Sequence, residues 1–244
     1  MTAAGVEVTG AQIGADEAET VWRRLRRLHD DSGLWPFLCD DSPEGTAKWA
    51  DEFADHERLT SVPVLDADAV VSALVDAQRR KRSGIDPKCD EYWAGLFSPD
   101  RVRADMATAP PEGAWDPYSP IGGLMRQPGW ICLVRADGGY QLPELLGRPH
   151  ANDWWGGPNH DRLTGADHVG VLRSWHDRFG ADVMMLGAVA LTLDVRHPPV
   201  GVDHHVSVAI EQFAYCDDLD QFIGEPHRVA RRQAPASRWY FWWD

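Results

Sequence analysis

The sequence predicts an α+β protein with a mainly antiparallel sheet, and three observations point to this fold class. From residue 130 onward, short apolar runs and amphipathic helical patterns follow the order strand, helix, strand, strand, helix, strand. This ferredoxin-like βαββαβ order places helices on one face of a sheet. The chain reaches its end through five consecutive aromatic residues, 239–243, which are too apolar for a frayed tail and therefore predict a buried strand. Helical patterns before residue 126 predict N-terminal helices packed on the sheet.

Residues 1–125 are expected to form a mainly helical N-terminal region. Residues 1–15 are weakly patterned and are interpreted as a loose arm. A helix begins near Asp16, and its apolar stripe has helical spacing: Ala18, Val21, Trp22, Leu25 and Leu28. A short apolar run at 34–38 predicts a buried extended segment, and a second helix is expected at 66–82.

The stretch 108–129 is rich in proline and glycine and resembles a linker. We place a boundary there, between the N-terminal region and an α+β domain at 126–244. The elements expected in this domain are a strand at 131–134, helices at 141–147 and 164–179, strands at 183–186 and 191–195, helices from 203 and at 219–232, and the terminal strand. Thr164 with Asp167 predicts an N-cap, and Asp203 predicts another.

The terminal strand is expected to have cover on both faces. Trp239, Phe241 and Trp243 would point to one side, and Tyr240 and Trp242 to the other, because side chains alternate along a strand. We therefore expect the N-terminal helices to cover the second face, so that the two regions form one cooperative unit.

The charge balance argues against some partners. Twenty-four basic and 38 acidic residues give a formal net charge of −14, whereas proteins that bind nucleic acid or anionic membranes carry a basic footprint. No apolar stretch approaches the length of a membrane span, and the first residues lack the pattern of a signal peptide. Four scattered cysteines without C-x-x-C spacing suggest reduced, mostly buried thiols. A cytoplasmic protein is the simplest interpretation.

Several segments resemble the DUF4253 family of bacterial proteins. They are Leu172 to Ala181 (LRSWHDRFGA), His197-Pro198-Pro199, Phe213 to Asp218 (FAYCDD) and Arg238 to Asp244 (RWYFWWD). The chain departs from the family pattern at His176, where an acid is common, and at Asp217, where a proline is usual. The resemblance covers roughly residues 130–244 and implies a compact α+β domain. The family has no assigned function, so it implies no catalytic residue.

The loop at 150–161 has the clearest concentration of metal-ligand residue types. It contains His150, Asp153, His160 and Asp161 beside Trp154 and Trp155. Imidazole and carboxylate ligands suit zinc, manganese or iron, and a loop of this length would let both ends reach one ion. The alternative is a surface loop anchored by its tryptophans, in which the acids and amides cap local turns.

Other clusters have simpler structural explanations. Asp203-His204-His205 opens a helix, and acids at 217, 218 and 220 precede another, where capping and the helix dipole account for them. Cys216 lies at the inner edge of a helix and is expected to be inert core. The basic quartet at 23–27 is either a docking face or a solvated helix face.

Two functions remain open. The first is a cytosolic protein-binding module, of the toxin-neutralising (immunity) or regulatory kind, that binds a basic partner. It rests on the acidity and the twelve tryptophans, since aromatic residues anchor interfaces and negative charge attracts basic proteins; Trp154 and Trp155 are its candidate contacts. The alternative is a metal-dependent hydrolase that uses the 150–161 loop. No organic cofactor is expected, and a divalent metal ion is the one cofactor this alternative requires.

Overall fold

The fold is centred on one six-stranded sheet. The computed structural model describes residues 5–49, 67–82, 90–110, 129–149 and 163–243. Its strands are Val8–Gln12 (β1), Leu34–Cys39 (β2), Trp130–Arg135 (β3), Ala181–Leu186 (β4), Ala190–Val195 (β5) and Arg238–Trp242 (β6). They lie in the spatial order β1-β3-β2-β4-β5-β6. The β2–β4 pairing is parallel, and the other pairings are antiparallel. The predicted α+β class is confirmed.

Helices cover this sheet on both faces. They are Ala15–Arg26 (α1), His29–Ser32 (α2), Ala67–Arg82 (α3), Asp90–Leu96 (α4), Pro99–Thr108 (α5), Leu142–Leu146 (α6), Gly165–Phe179 (α7), Val202–Tyr215 (α8), Leu219–Phe222 (α9) and Pro226–Arg232 (α10). Residues 43–49 are also helical, and Gly139–Gln141 forms a 3₁₀ turn. The predicted order βαββαβ from residue 130 is confirmed along the chain.

The strands of this C-terminal part pair differently from those of a ferredoxin-like sandwich. β3 pairs with β1 and β2, and β2 lies between β3 and β4. The sequence of β2, LWPFLC, is apolar throughout and five of its six residues are buried, which suits a central strand covered on both faces. Strands from both sides of the predicted boundary thus share one sheet.

The first face of the sheet carries a dense aromatic core. Trp239, Phe241 and Trp243 are fully buried there, as their alternation predicts. Trp175 of α7 stacks on Phe241 with ring centroids 5.4 Å apart, and Tyr215 of α8 meets Phe241 and Trp243 edge to face. The helix α3 packs against α7 and α8, so this N-terminal helix adds an outer layer over the same face.

The helix α1 covers the opposite face. Trp22 is buried among Ala18, Leu38, Ile131, Met184 and Met185, and its indole Nε1 donates a hydrogen bond of 2.9 Å to the Pro36 carbonyl of β2. The expected packing of N-terminal helices on the sheet is confirmed. Tyr240, on this side of β6, is covered by Phe222 of α9.

Some local expectations need correction. Residues 8–12, expected to be part of a loose arm, form edge strand β1 because β3 offers them a complete antiparallel register. Asp203 does not cap α8; Gly201, at φ 94°, is the cap residue. The predicted helix at 219–232 divides into α9 and α10 at Gly224, whose φ of 108° no helix accommodates. The predicted capping box of Thr164 and Asp167 is present in full.

Candidate functional site

The residues predicted to bind a metal or a partner fall outside the described part of the chain. They are His150, Asp153, Trp154, Trp155, His160 and Asp161, and the terminal Asp244 also lies outside. The loop therefore stays a prediction, and the candidate site described below was not anticipated from the sequence.

Three metal-ligating side chains converge where α5 meets the start of α10. Asp105 comes from α5, Glu225 immediately precedes α10, and His227 lies in the first turn of α10. One ligand atom from each lies within 4.8 Å of the other two, and all three residues are partly buried. A single position therefore exists that is about 2.8 Å or less from all three ligand atoms, because three atoms no more than 4.8 Å apart fit in a circle of that radius (4.8 divided by √3).

We call Asp105, Glu225 and His227 the Asp105 cluster. A tyrosine and an arginine border it. The Tyr92 hydroxyl of α4 donates a hydrogen bond to Glu225. This bond, together with partial burial, raises the pKa of Tyr92 to about 12, so the phenol keeps its proton. Arg101 contacts Asp105 at 3.4 Å (Nε to Oδ2), donates to the Tyr92 carbonyl at 2.9 Å and lies 4.8 Å from the centre of the Tyr92 ring.

The side chain of Glu225 is committed to this cluster. It occupies the N-cap position of α10 but forms no capping hydrogen bond. Its Oε2 lies instead 3.6 Å from His227 Nδ1. The arrangement therefore presents two carboxylates and an imidazole to one point, which is the chemistry of a divalent-cation site.

The sequence offers only a partial signal for this cluster. Glu225 and His227 flank Pro226, a local pairing of ligand types. Asp105 lies 120 positions earlier (225 − 105), and Tyr92 earlier still. No spacing rule connects residues this far apart, because the packing of α5 against α10 brings them together.

A second group of charges is buried beneath α1. Asp182 of β4 and Asp194 of β5 are paired across the two strands, and both are buried. Arg26 reaches Asp182 at 2.9 Å (Nε to Oδ2), and Arg23 reaches Asp194 at 2.7 Å (Nη2 to Oδ1). Arg23 and Arg26 thus join α1 to the sheet; Arg26 is partly buried, whereas Arg23 remains exposed, as a solvated face implies. Arg24 and Arg27 are exposed.

Further groups complete this charge network. Arg238 of β6 contacts Glu19 at 3.0 Å and Asp194 at 3.6 Å. The hydrogen bond from Arg238 lowers the pKa of Glu19. Burial raises the pKa of Asp194, against the attraction of Arg23. His176 Nδ1 lies 2.8 Å from Asp182 Oδ1. Because these carboxylates face cationic partners, we assign the network to stability rather than to chemistry.

The described cysteines are not poised as nucleophiles. Burial raises the pKa of Cys216 well above its usual value, and its thiol donates to the Trp242 carbonyl at 3.0 Å. Burial likewise raises the pKa of Cys39 to about 11 and that of Cys132 to about 12. A reactive thiol needs a lowered pKa and access, so the expectation of inert core cysteines holds for these three.

These features define an α+β protein with a central aromatic core and, within the described residues, a partly buried carboxylate–imidazole cluster. Residues 130–244 match the family model DUF4253, described as a domain of unknown function. The match confirms the resemblance to DUF4253 over this part of the chain. No curated protein and no solved structure matches the chain. Within the described residues, none of the helices combines the length and apolar character needed to cross a membrane.

Proposed function

We propose that this chain is a cytosolic protein-binding module, of the toxin-neutralising or regulatory kind, whose partner is a basic protein. The observation that carries the proposal is a pair of exposed valines where the chain enters α8, one on each side of the cap residue Gly201. Val200 is 83% exposed and Val202 is 51% exposed. Single exposed apolar residues are ordinary on protein surfaces, whereas two that lie almost adjacent where a helix begins offer a partner one small apolar contact.

The turn that carries the valine pair is held rigidly. His205 Nε2 donates to the Pro199 carbonyl at 2.9 Å, and the His205 amide donates to the Gly201 carbonyl at 3.0 Å. Ahead of the turn, the His197 amide donates to the Phe179 carbonyl at 2.9 Å. A rigid surface loses little conformational entropy on binding, which favours affinity.

The surroundings of the valine pair suit a basic partner. Arg103 bridges two highly exposed carboxylates, at 2.7 Å to Asp203 and 2.8 Å to Asp100. Two carboxylates that share one guanidinium leave a net negative charge beside Val202. The chain as a whole carries −14, and a field of this sign speeds the approach of basic proteins and disfavours nucleic acid.

A comparative capture experiment tests this proposal. The purified full chain serves as bait at about 50 mM and about 300 mM salt, beside a double variant, Val200→Asp with Val202→Asp. Burying one valine contributes about 1.5 kcal/mol or more, so the variant should recover the basic partner at least about tenfold less well. Leu28→Asp is the matched control, because Leu28 is also apolar and 48% exposed.

The proposal requires that wild type and Leu28→Asp both recover one basic protein. The binding of that protein must be weaker at the higher salt concentration. Recovery unchanged by the double variant, or no specific basic protein at either salt concentration, would refute it.

A metal-dependent hydrolase is the second proposal. The Asp105 cluster favours a metal-dependent hydrolase, since this cluster brings together metal-ligand residue types in the described part of the chain. The original candidates in the 150–161 loop, His150, Asp153, His160 and Asp161, remain an alternative location for the metal. Hydrolysis of a generic phosphoester or ester, dependent on added divalent metal and abolished by a chelator, would support it; equal rates with and without metal would refute it.

A further inference from the structure

We propose that Asp105, Glu225 and His227 bind one divalent transition-metal ion, with the Tyr92 hydroxyl as a neighbouring donor. The site uses none of the residues of the predicted 150–161 loop and does not depend on the binding-module function. Its members come from two packed helices, one from α5 and two from the start of α10, and all are partly buried.

The geometry is close to that of a bound ion. A point about 2.8 Å or less from all three ligand atoms exists already, whereas carboxylate and imidazole bonds to zinc are about 2.0–2.2 Å long. A rotamer adjustment of less than about 1 Å at each side chain would close the difference. Proline at 226 restricts the backbone between Glu225 and His227, so this part of the ligand set is pre-organised.

The electrostatics also favour a cation. Asp105 and Glu225 contribute two negative charges at close range, and Arg101 contacts only Asp105 of the pair. A carboxylate has about four lone-pair sites, so Asp105 can keep Arg101 and still coordinate an ion. The phenol of Tyr92, which donates to Glu225, holds that carboxylate in place as an outer partner does in metal sites.

The donor set narrows the class of ion. Two carboxylates are hard oxygen donors, which suit Mn²⁺, and the single imidazole also suits Zn²⁺. None of the ligands is a thiolate, so nothing in the cluster selects a soft ion such as Cu(I). Mn²⁺ is therefore the probe of choice, with Zn²⁺ as competitor.

The test uses the full chain without an affinity tag, titrated with Mn²⁺. Bound Mn²⁺ is followed by the loss of the free ion's electron paramagnetic resonance signal. We expect one equivalent to bind and Zn²⁺ to displace it. Glu225→Gln and His227→Gln should each weaken binding at least tenfold, since even outer-shell changes cost 10–100-fold in affinity.

Asp203→Asn is the matched control, because it removes one exposed carboxylate near α5 that pairs with Arg103 and lies outside the cluster. It should leave the affinity within about twofold. Thermal unfolding of each variant separates lost binding from lost folding.

A second measurement needs no variant. Mn²⁺ broadens nuclear magnetic resonance signals of nearby nuclei, so amides around residues 105 and 225–227 of the wild-type chain should broaden first. Binding below about a tenth of an equivalent, affinity unchanged by Glu225→Gln and His227→Gln, broadening centred elsewhere, or loss of binding in His160→Ala would each overturn the proposal. The last result would place the ion in the 150–161 loop.

Discussion

Replacing Trp22 with alanine probes how the N-terminal helix α1 is joined to the rest of the fold. Trp22 is almost fully buried and forms the centre of the contacts between α1 and the second face of the sheet. The substitution removes the whole indole ring together with its hydrogen bond to Pro36.

The expected cost follows from these two losses. Truncating a buried tryptophan to alanine costs about 3–5 kcal/mol through lost burial and the cavity left behind. The Pro36 carbonyl loses its donor, and an unsatisfied buried acceptor costs about 1–3 kcal/mol unless water enters the cavity. We therefore expect a loss of at least about 4 kcal/mol, a large fraction of the 5–15 kcal/mol typical of domains. Trp22→Phe keeps most of the ring and should lose about 1–3 kcal/mol.

The assay is urea unfolding followed by far-ultraviolet circular dichroism. Arg24→Ala is the matched control, since Arg24 is exposed on the same helix and should change stability by less than about 0.5 kcal/mol. A loss below about 1 kcal/mol for Trp22→Ala would refute the reasoning, because a helix that merely touches the sheet could tolerate the change.

Three further predictions concern the terminal strand, the charge network and the thiols. Deleting residues 239–244 should abolish soluble folding, because Trp239, Phe241 and Trp243 are fully buried; a truncated chain that stays folded and monomeric by size-exclusion chromatography would contradict this. Glu19→Gln should destabilise the protein at neutral pH. The native pKa of Glu19 lies below its usual 4.5, so its contribution is present above that value and is lost as pH falls through the lowered native pKa. The gap between the urea midpoints of variant and wild type should thus shrink as the pH is lowered progressively below 4.5; a gap that does not change with pH would be inconsistent with the lowered pKa. In a Cys89→Ser background, a thiol reagent at pH 8 should label Cys39, Cys132 and Cys216 only after unfolding, given their burial; rapid labelling of the native protein would show that these thiols are accessible.

The sequence is a good guide where local chemistry decides the structure. Thr164 and Asp167 form the expected capping box, and Gly180 ends α7 in the left-handed conformation. The terminal aromatic run is a buried strand, and the apolar run at 34–38 lies within β2. Each depends on neighbours a few residues away, which a single sequence displays directly.

The sequence is a poor guide where distant residues decide. The ion pairs of Arg23 and Arg26 with the sheet cannot be predicted from local patterns, because their partners lie 171 and 156 positions away. β1 has little apolar pattern and becomes a strand only because β3 pairs with it. The spatial order of strands was missed for the same reason: β2 inserts between β3 and β4, and no local pattern records which strands become neighbours.

The candidate site shows this limit most clearly. The density of histidine and aspartate predicts a site at residues 150–161, whereas the Asp105 cluster takes one ligand from α5 and two from the start of α10. Residue density detects sites built from one segment of chain. Sites built by helix packing become visible only when the packing is known.

The central structural claim is that β2, which lies outside the matched DUF4253 residues, is an integral central strand of the sheet. Native-state hydrogen exchange, measured residue by residue, tests it most directly. Amides in 34–39 that bond within the sheet should exchange only through global unfolding, with the same opening free energy as those of β4 and β5. Exchange of β2 that is orders of magnitude faster, while β4 to β6 stay protected, would contradict the claim and show that the family domain is stable without its N-terminal strand.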